Sequence, residues 1–144
     1  MVTSKAMQKG RKGEHRSGRH VLFVYGSLLA GEANHGMLAG ARFLGDATTA
    51  PAFELADLGP YPALVRGGAT AVGGELYAVT AEHLRRLDAF EGHPHLYQRD
   101  AVQLADGRSA QSYFMAPARA EGYPRIASGR WRDRAVISRS SCST

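Results

Sequence analysis

Apolar and polar residues alternate along the chain in short blocks, and these blocks predict several strands. The apolar run at residues 21–25 is nearly continuous and predicts a buried strand, which Gly26 and Ser27 end sharply. A segment at residues 34–40 is typical of a short helix or an irregular loop. Further strands are predicted at residues 41–47, at 53–65 in two pieces around a Gly-Pro turn, at 71–79, and at 100–116 as a hairpin that turns near Asp106 and Gly107.

One block, TAEHLRRLDAFEG at residues 80–92, has the spacing of an amphipathic helix. Thr80 fits the N-cap position, Glu82 favours the first turn, and Gly92 fits the position just after the helix. The apolar stripe of this helix consists of Leu84, Leu87 and Phe90. Many short strands and a single clear helix predict an α+β fold with a mostly antiparallel or mixed sheet, which could close into a small barrel. The glycines at residues 73 and 74 favour a bulge or a barrel corner.

The composition fits one globular domain, with 144 residues and a hydrophobic content of 44%. No apolar run approaches the roughly 20 residues that span a bilayer, and no apolar segment follows the basic N-terminus as in a signal peptide. The predicted location is therefore cytoplasmic. The one cysteine, Cys142, lies in a Ser-rich tail and can form neither an internal disulfide nor a cysteine metal cluster.

The net charge of +5 comes from the two ends of the chain. Residues 1–19 carry six basic side chains and one acidic side chain, whereas residues 20–131 carry nine arginines and eleven acids. Residues 132–144 carry three arginines and one aspartate. Basic tails can contact nucleic acid or anionic lipid, but a disordered, solubilising extension is the simpler explanation. We therefore predict disordered tails at residues 1–19 and 133–144 around one domain at residues 20–132.

Glu91 stands at the predicted C-terminal end of the helix, seven residues after Leu84 and four after Leu87. It therefore shares their inward face, and we expect it to be partly buried. Burial and the carbonyl end of the helix dipole both oppose a negative charge, so both should raise the pKa of Glu91. A carboxyl group with a pKa near neutrality can accept and donate a proton in turn. Two structural explanations stay open: a frayed helix that leaves Glu91 in water, or an ion pair with Arg99 or another arginine.

The tetrapeptide YGSL at residues 25–28 follows the first strand. A strand that ends in Gly-Ser exposes backbone N–H groups that can bind a carboxylate or a phosphate, although an ordinary turn explains the same residues. The segment lacks the Gly-Lys-Ser/Thr of a P-loop and the second glycine of a Gly-x-Ser-x-Gly elbow.

Other reactive groups give weaker predictions. His93 and His95 near Glu91 could hold a metal, but Pro94 and the loop setting make this pattern unspecific. A catalytic triad around Ser27 can be assembled on paper, as it can in any chain of this size. The arginines of the domain are scattered, which disfavours a nucleic-acid surface.

Taken together, VYGSL on a first strand and LDAFEGHPHLYQR after a helix resemble the γ-glutamylcyclotransferase-like superfamily, in the branch of γ-glutamylamine cyclotransferases and AIG2-like proteins. The stretches GELYAV, YPALV and PRIASGRWR support this resemblance, which covers residues 20–132. The last stretch resembles a Pro-x-Ile-x-Ser-Gly-Asp-Trp ending in which Arg130 replaces the acid, so the resemblance assigns no role to Arg130. The pairing of the Tyr-Gly-Ser-Leu motif with the Glu-Gly-x-Pro-x-x-Tyr-x-Arg stretch makes the resemblance specific.

The resemblance implies a small mixed β-barrel flanked by short helices, and an enzyme that needs neither metal nor cofactor. Its reaction would be the attack of a substrate's α-amine on its own γ-carbonyl, which releases 5-oxoproline and a free amine from a γ-glutamyl amide. The implied catalytic acid and base is Glu91. The implied substrate-binding loop consists of Tyr25, Gly26, Ser27 and Leu28. Two further candidates, whose hydroxyls could orient the amine or Glu91 or could simply pack in the core, are Tyr97 in the motif and Tyr113 on a strand.

Two other functions stay open at this point. A non-catalytic binding or regulatory module could share the fold, although the retained Glu91 argues against it. A nucleic-acid-associated protein could instead act through the basic tails. The predicted partner of the domain is a small γ-glutamyl compound, with no nucleic acid and no membrane, and a monomer is compatible with the sequence. The leaving amine could come from a γ-glutamylamine, a γ-glutamyl peptide or a protected biosynthetic amine.

Overall fold

The computed structural model describes residues 20–133, and the predicted tails lie outside this range apart from Asp133. Within this range seven strands form one mixed sheet, accompanied by a 3₁₀ helix and two short α-helices, and residues 131–133 are also helical. The strands are β1 (His20–Val24), β2 (Arg42–Thr48), β3 (Phe53–Asp57), β4 (Pro62–Arg66), β5 (Gly73–Val79), β6 (Gln98–Gln103) and β7 (Ser109–Phe114). The helices are a 3₁₀ helix (His35–Leu38), α1 (Ala81–Glu91) and α2 (Pro117–Ala120). The predicted α+β class and the predicted strands are confirmed.

The sheet divides at β7, and this division creates the space for a site. The strands follow the order β2–β5–β1–β7–β4–β3, while β6 pairs antiparallel along the whole of β7. Because β6 occupies one edge of β7, β1 and β4 share the other edge. β1 pairs with β7 only at Leu22 and Gln111, and β4 pairs only at Leu64 and Phe114. The end of β1 therefore separates from β4, and the YGSL segment begins at this gap.

The sheet is not closed into the small barrel that the sequence predicts. β2 and β3 are the two ends of the strand order and do not pair with each other. The outer edge of β3 is instead covered by loops, through bridges from Phe53 to Thr70 and from Ala56 to Arg125. An edge whose N–H and C=O groups are already bonded cannot accept another strand, which explains why the sheet stays open.

The bulge in the sheet lies on a different strand from the one predicted. The pairing of β2 with β5 shifts register between Phe43 and Gly45 of β2, away from Gly73 and Gly74. Gly74 serves a close approach instead, because a Cβ at this residue would lie 2.1 Å from the carbonyl oxygen of Val24. A side chain there would push β5 away from β1 and disturb the start of the YGSL segment.

Helix α1 has the ends that its sequence predicts. The Thr80 hydroxyl accepts a hydrogen bond from the N–H of His83 at 3.0 Å, and the N–H of Thr80 donates to His83 Nδ1 at 3.0 Å. Gly92 ends the helix with a φ of 71°, a conformation that favours glycine. Leu84 and Leu87 are buried as expected, but the prediction that Phe90 completes the buried stripe is wrong, since Phe90 is 47% exposed. Among residues 20–133, no helix is both long and apolar enough to cross a membrane.

Candidate active site

A cavity of about 220 Å³ opens where β1 and β4 separate. Its walls come from the segment after β1, the start of β4, the end of α1 and the middle of β7. It brings together all the candidate site residues of the sequence analysis, namely Tyr25, Gly26, Ser27, Leu28, Glu91, Tyr97 and Tyr113. It also includes residues that the sequence analysis did not assign to the site, among them Asn34, Tyr61, Pro62, Leu96 and Ser112.

The YGSL segment is held in place by a neighbouring turn. Asn34 contacts Ser27 twice: its Nδ2 donates to Ser27 Oγ at 2.9 Å, and its backbone N–H donates to the Ser27 carbonyl at 2.8 Å. Gly26 lies against Pro62, since a Cβ on Gly26 would come within 2.4 Å of the proline ring. In the described part of the chain, the N–H groups of Gly26, Ser27 and Leu28 have no protein acceptor. The segment therefore supplies backbone donors to the cavity wall.

Glu91 is the last residue of α1, and its carboxyl group lines the cavity. Burial raises the pKa of Glu91 from 4.5 to about 7. Within residues 20–133 no arginine, lysine or histidine lies within ion-pair distance of this carboxylate. The helix does not fray before Glu91, and Arg99 pairs with another acid. Neither of the two structural explanations for Glu91 therefore fits the geometry.

The partner of Arg99 is Asp88, one helical turn before Glu91. Arg99 Nε and Nη2 donate to the two carboxylate oxygens of Asp88 at 2.8 and 3.0 Å. The Tyr113 hydroxyl donates to Asp88 Oδ1 at 2.6 Å, and Arg99 also donates to the side chain of Gln111. The guanidinium of Arg99 and the Tyr113 hydroxyl lower the pKa of Asp88 despite its partial burial. This network ties the end of α1 to β6 and β7.

Of the four tyrosines that line the cavity, Tyr25, Tyr97 and Tyr113 already donate their hydroxyl protons to other groups of the protein. Tyr25 donates to the carbonyl of Tyr113 at 2.7 Å and accepts from the N–H of Leu64 at 3.1 Å, so it bridges β7 and β4 across the gap. Tyr97 donates to the carbonyl of Pro62 at 2.8 Å. Burial raises the pKa of all three tyrosines, which keeps them protonated. The expected role of Tyr97 and Tyr113 therefore changes, because their oxygens can accept hydrogen bonds but their protons are committed.

The histidines near the site do not form a metal-binding cluster, and His93 is hydrogen-bonded to the backbone. His93 Nδ1 accepts from the N–H of Arg99 at 3.0 Å. Across the described residues, no group of three or more His, Cys, Asp or Glu side chains is placed to share a metal ion. Arg130 lies outside this cavity, beside Gly73 of β5.

Comparisons with known proteins agree with the sequence motifs. The family model described as gamma-glutamyl cyclotransferase, AIG2-like, matches residues 22–133. A protein of Vibrio cholerae with the provisional name of a gamma-glutamylcyclotransferase is 43% identical over 89 residues, which cover 62% of this chain and 76% of that protein. The gamma-glutamylaminecyclotransferase of Rattus norvegicus is 38% identical over 92 residues, covering 58% and 62%. The solved structure of an AIG2-like protein from Mus musculus matches with a TM-score of 0.67 and 30% identity, covering 75% of this chain and 86% of that chain.

Proposed function

The chain belongs to the AIG2-like gamma-glutamyl cyclotransferase family, and we propose that it cleaves a γ-glutamyl amide by cyclisation, releasing 5-oxoproline and a free amine. The names of its relatives support this type of activity. The observation that carries the proposal is Glu91, a carboxyl group with a pKa of about 7 in a cavity where no cation of residues 20–133 pairs with it. Such a group changes its protonation state at little cost near neutral pH.

The reaction begins with the removal of a proton from the substrate. The α-amine of the γ-glutamyl group is an ammonium in water near pH 7, with a pKa of about 8 or above. Glu91 accepts one proton from it, and the freed lone pair attacks the γ-carbonyl carbon. A new C–N bond closes the five-membered ring.

Collapse of the tetrahedral intermediate completes the reaction. The original amide C–N bond breaks, and its electron pair stays with the leaving nitrogen. Glu91 returns the first proton to that nitrogen, then takes the second proton from the ring nitrogen and passes it to the released amine. The carboxylate is thereby regenerated, and the products are 5-oxoproline and an ammonium ion. No water is consumed, and no side chain becomes covalently attached to the substrate. Because the attack is intramolecular, holding the glutamyl group in a folded conformation supplies much of the acceleration.

The remaining cavity groups suit the two charged ends of the glutamyl group. The open N–H groups of Gly26, Ser27 and Leu28 would bind the α-carboxylate. The hydroxyl oxygens of Tyr97 and Tyr113, whose protons are committed elsewhere, would face the ammonium together with Glu91. Ser27 belongs to the binding segment, because its hydroxyl oxygen accepts from Asn34 and takes no part in the bond changes.

A direct test measures 5-oxoproline release by the full chain from γ-glutamyl-ε-lysine, γ-glutamyl-alanine and a γ-glutamyl diamine. Replacing Glu91 with glutamine keeps the shape of the side chain but removes the proton acceptor. We expect Glu91→Gln to lower turnover by about three orders of magnitude or more, since acid–base catalysis contributes on this scale. Glu82→Gln, an exposed substitution on the same helix, is the matched control.

Equal rates for wild type and Glu91→Gln would refute the mechanism. Activity that depends on Glu91 would also exclude the non-catalytic module. Removal of residues 1–19 tests the remaining alternative, because any salt-sensitive nucleic-acid binding should disappear while 5-oxoproline release continues.

A further inference from the structure

Large apolar side chains are concentrated at the mouth of the cavity. Six large apolar side chains of residues 20–133 are exposed, and three of them line this one cavity. They are Tyr61 at 42%, Phe90 at 47% and Leu96 at 41% exposure. Single exposed apolar residues are ordinary on a protein surface, but a cluster that rims a cavity indicates a binding surface.

These three residues lie at the outer end of the site. The other large side chains of the cavity, including Tyr25, Tyr97 and Tyr113, are buried. The ring of Tyr61 lies 6.5 Å from that of Tyr97, so it continues the inner wall outward. Phe90 directly precedes Glu91, and a Cβ on Gly92 would lie 3.1 Å from the Leu96 Cβ, which places Leu96 over the helix end. Glu91 thus stands between a buried polar interior and an apolar rim.

The cavity also has a distinctive charge pattern. Apart from tyrosines, the only ionisable side chain among its described lining residues is Glu91, and no lysine, arginine or histidine lines it. The open N–H groups of the YGSL segment can hold one carboxylate. A second carboxylate on the substrate would lie near Glu91 with no cation to balance it, and such an unpaired charge is costly at a partly buried site.

We propose that the substrate class is a γ-glutamyl amide whose leaving amine carries an uncharged hydrocarbon group, which packs against Tyr61, Phe90 and Leu96. This inference rests on the proposed function. It follows from the order of the groups along the cavity. The glutamyl group fills the polar interior, the scissile amide lies at Glu91, and the leaving group points to the apolar rim. Amines with a carboxylate beside the nitrogen, as in γ-glutamyl dipeptides, should be poor leaving groups here.

A matched series of substrates tests the inference. γ-Glutamyl-isoamylamide and γ-glutamyl-leucine differ only by the carboxylate on the leaving amine, and γ-glutamyl-leucinamide has the same bulk without the charge. γ-Glutamyl-methylamide lacks the hydrocarbon chain, and γ-glutamyl-ε-lysine carries both charges at the far end. We expect kcat/KM for the isoamylamide to exceed that for the methylamide and that for γ-glutamyl-leucine by about tenfold or more each, with the leucinamide between.

The outcomes separate this inference from the proposed function. Release of 5-oxoproline with γ-glutamyl-leucine or γ-glutamyl-ε-lysine favoured over the isoamylamide would overturn the apolar leaving group and leave the cyclotransferase intact. Equal rates for the methylamide and the isoamylamide would also overturn it. No release that depends on Glu91 from any of the five compounds would overturn the proposed function, and the inference with it.

A charge placed at the rim gives a second test. Leu96→Arg should supply the missing cation and shift the ratio of kcat/KM for γ-glutamyl-leucine over the isoamylamide upward by about tenfold, the scale of one charge-assisted contact. Leu44→Arg is the matched control, because Leu44 is 40% exposed on β2 and does not line the cavity. The inference fails if both variants keep the wild-type ratio or shift it equally. Thermal unfolding of both variants checks that they are folded.

Discussion

Asp88 and Glu91 are two carboxylates on the same helix, one turn apart, with opposite surroundings. Asp88 accepts hydrogen bonds from Arg99 and Tyr113, and these contacts lower its pKa. Glu91 has no such cation in the described chain, and burial raises its pKa to about 7. The same functional group is therefore a fixed negative charge at one position and, in the proposed reaction, the proton carrier at the next turn.

The comparison shows that Asp88 binds the arginine that lies near the end of the helix. Arg99 follows the helix closely and was the natural candidate to neutralise Glu91. Asp88 instead binds this guanidinium through both carboxylate oxygens. A bidentate pair is geometrically specific, so the cation of Arg99 is held on Asp88. Within the described residues, the Glu91 carboxyl group in the cavity is then left without a paired cation, and burial raises its pKa.

The largest expected effect of this difference is on the pH dependence of the reaction. Only the ionised form of Glu91 can take the proton from the substrate ammonium. Because its pKa is about 7, kcat/KM should fall about fiftyfold between pH 7 and pH 5, approaching a tenfold fall for each pH unit well below the pKa. Rates of 5-oxoproline release from pH 4.5 to 9 measure this limb, with circular dichroism as the control for folding. A limb centred near pH 4.5 would mean that Glu91 titrates like an ordinary glutamate.

Asp88→Asn removes the negative charge of Asp88 while keeping the shape of the side chain. Breaking a partly buried pair leaves Arg99 without its counter-charge, so the free energy of unfolding at pH 7 should fall by about 2–3 kcal/mol. The pKa of Asp88 is lowered by folding, so the difference from wild type should be present above the unfolded pKa and disappear as the pH falls through the folded pKa. Urea unfolding at a series of pH values from 7 down to 2 measures both.

The exposed pair of Arg66 and Asp100 provides the control for this substitution. Asp100→Asn should change stability much less, because exposed ion pairs contribute little. Equal losses for the two variants would show that Asp88 is no more than a surface ion pair. Turnover of Asp88→Asn should also fall far less than that of Glu91→Gln, since Asp88 supports the site without exchanging the proton.

The local pattern was sufficient to predict the parts of the fold that depend on neighbouring residues. The strand before YGSL, the caps at Thr80 and Gly92, and the inward position of Glu91 follow from spacing along the chain, and spacing is visible in the sequence. The open sheet was not predictable in this way. It depends on loops around Thr70 and Arg125 that reach the edge of β3 from distant positions.

The same limit applies to the site. Spacing placed Glu91 correctly on the helix, but it could not decide whether Arg99 would pair with Glu91 or with Asp88, because both acids precede it closely in the sequence. The hydroxyl of Tyr113 could be assigned to the cavity, but its donation to Asp88 depends on the meeting of β7 with α1. Asn34 and Tyr61 carry no local signal of a site, because the fold alone brings them to the cavity.

The smallest effect concerns stability, where Glu91 should act opposite to Asp88. Its pKa is about 7 in the folded chain and 4.5 in the reference state, so the folded chain binds more protons between these values. Wild-type stability should therefore fall as the pH rises from about 4.5 to 7, by about 1–2 kcal/mol after allowing for partial exposure. Glu91→Gln stays neutral, so it should be more stable than wild type by this amount at pH 8 and equal to it at pH 4. Urea unfolding at the two pH values measures the difference, and a variant that is less stable at pH 8 would show that the carboxylate is stabilised in the folded chain, against the surroundings described for it.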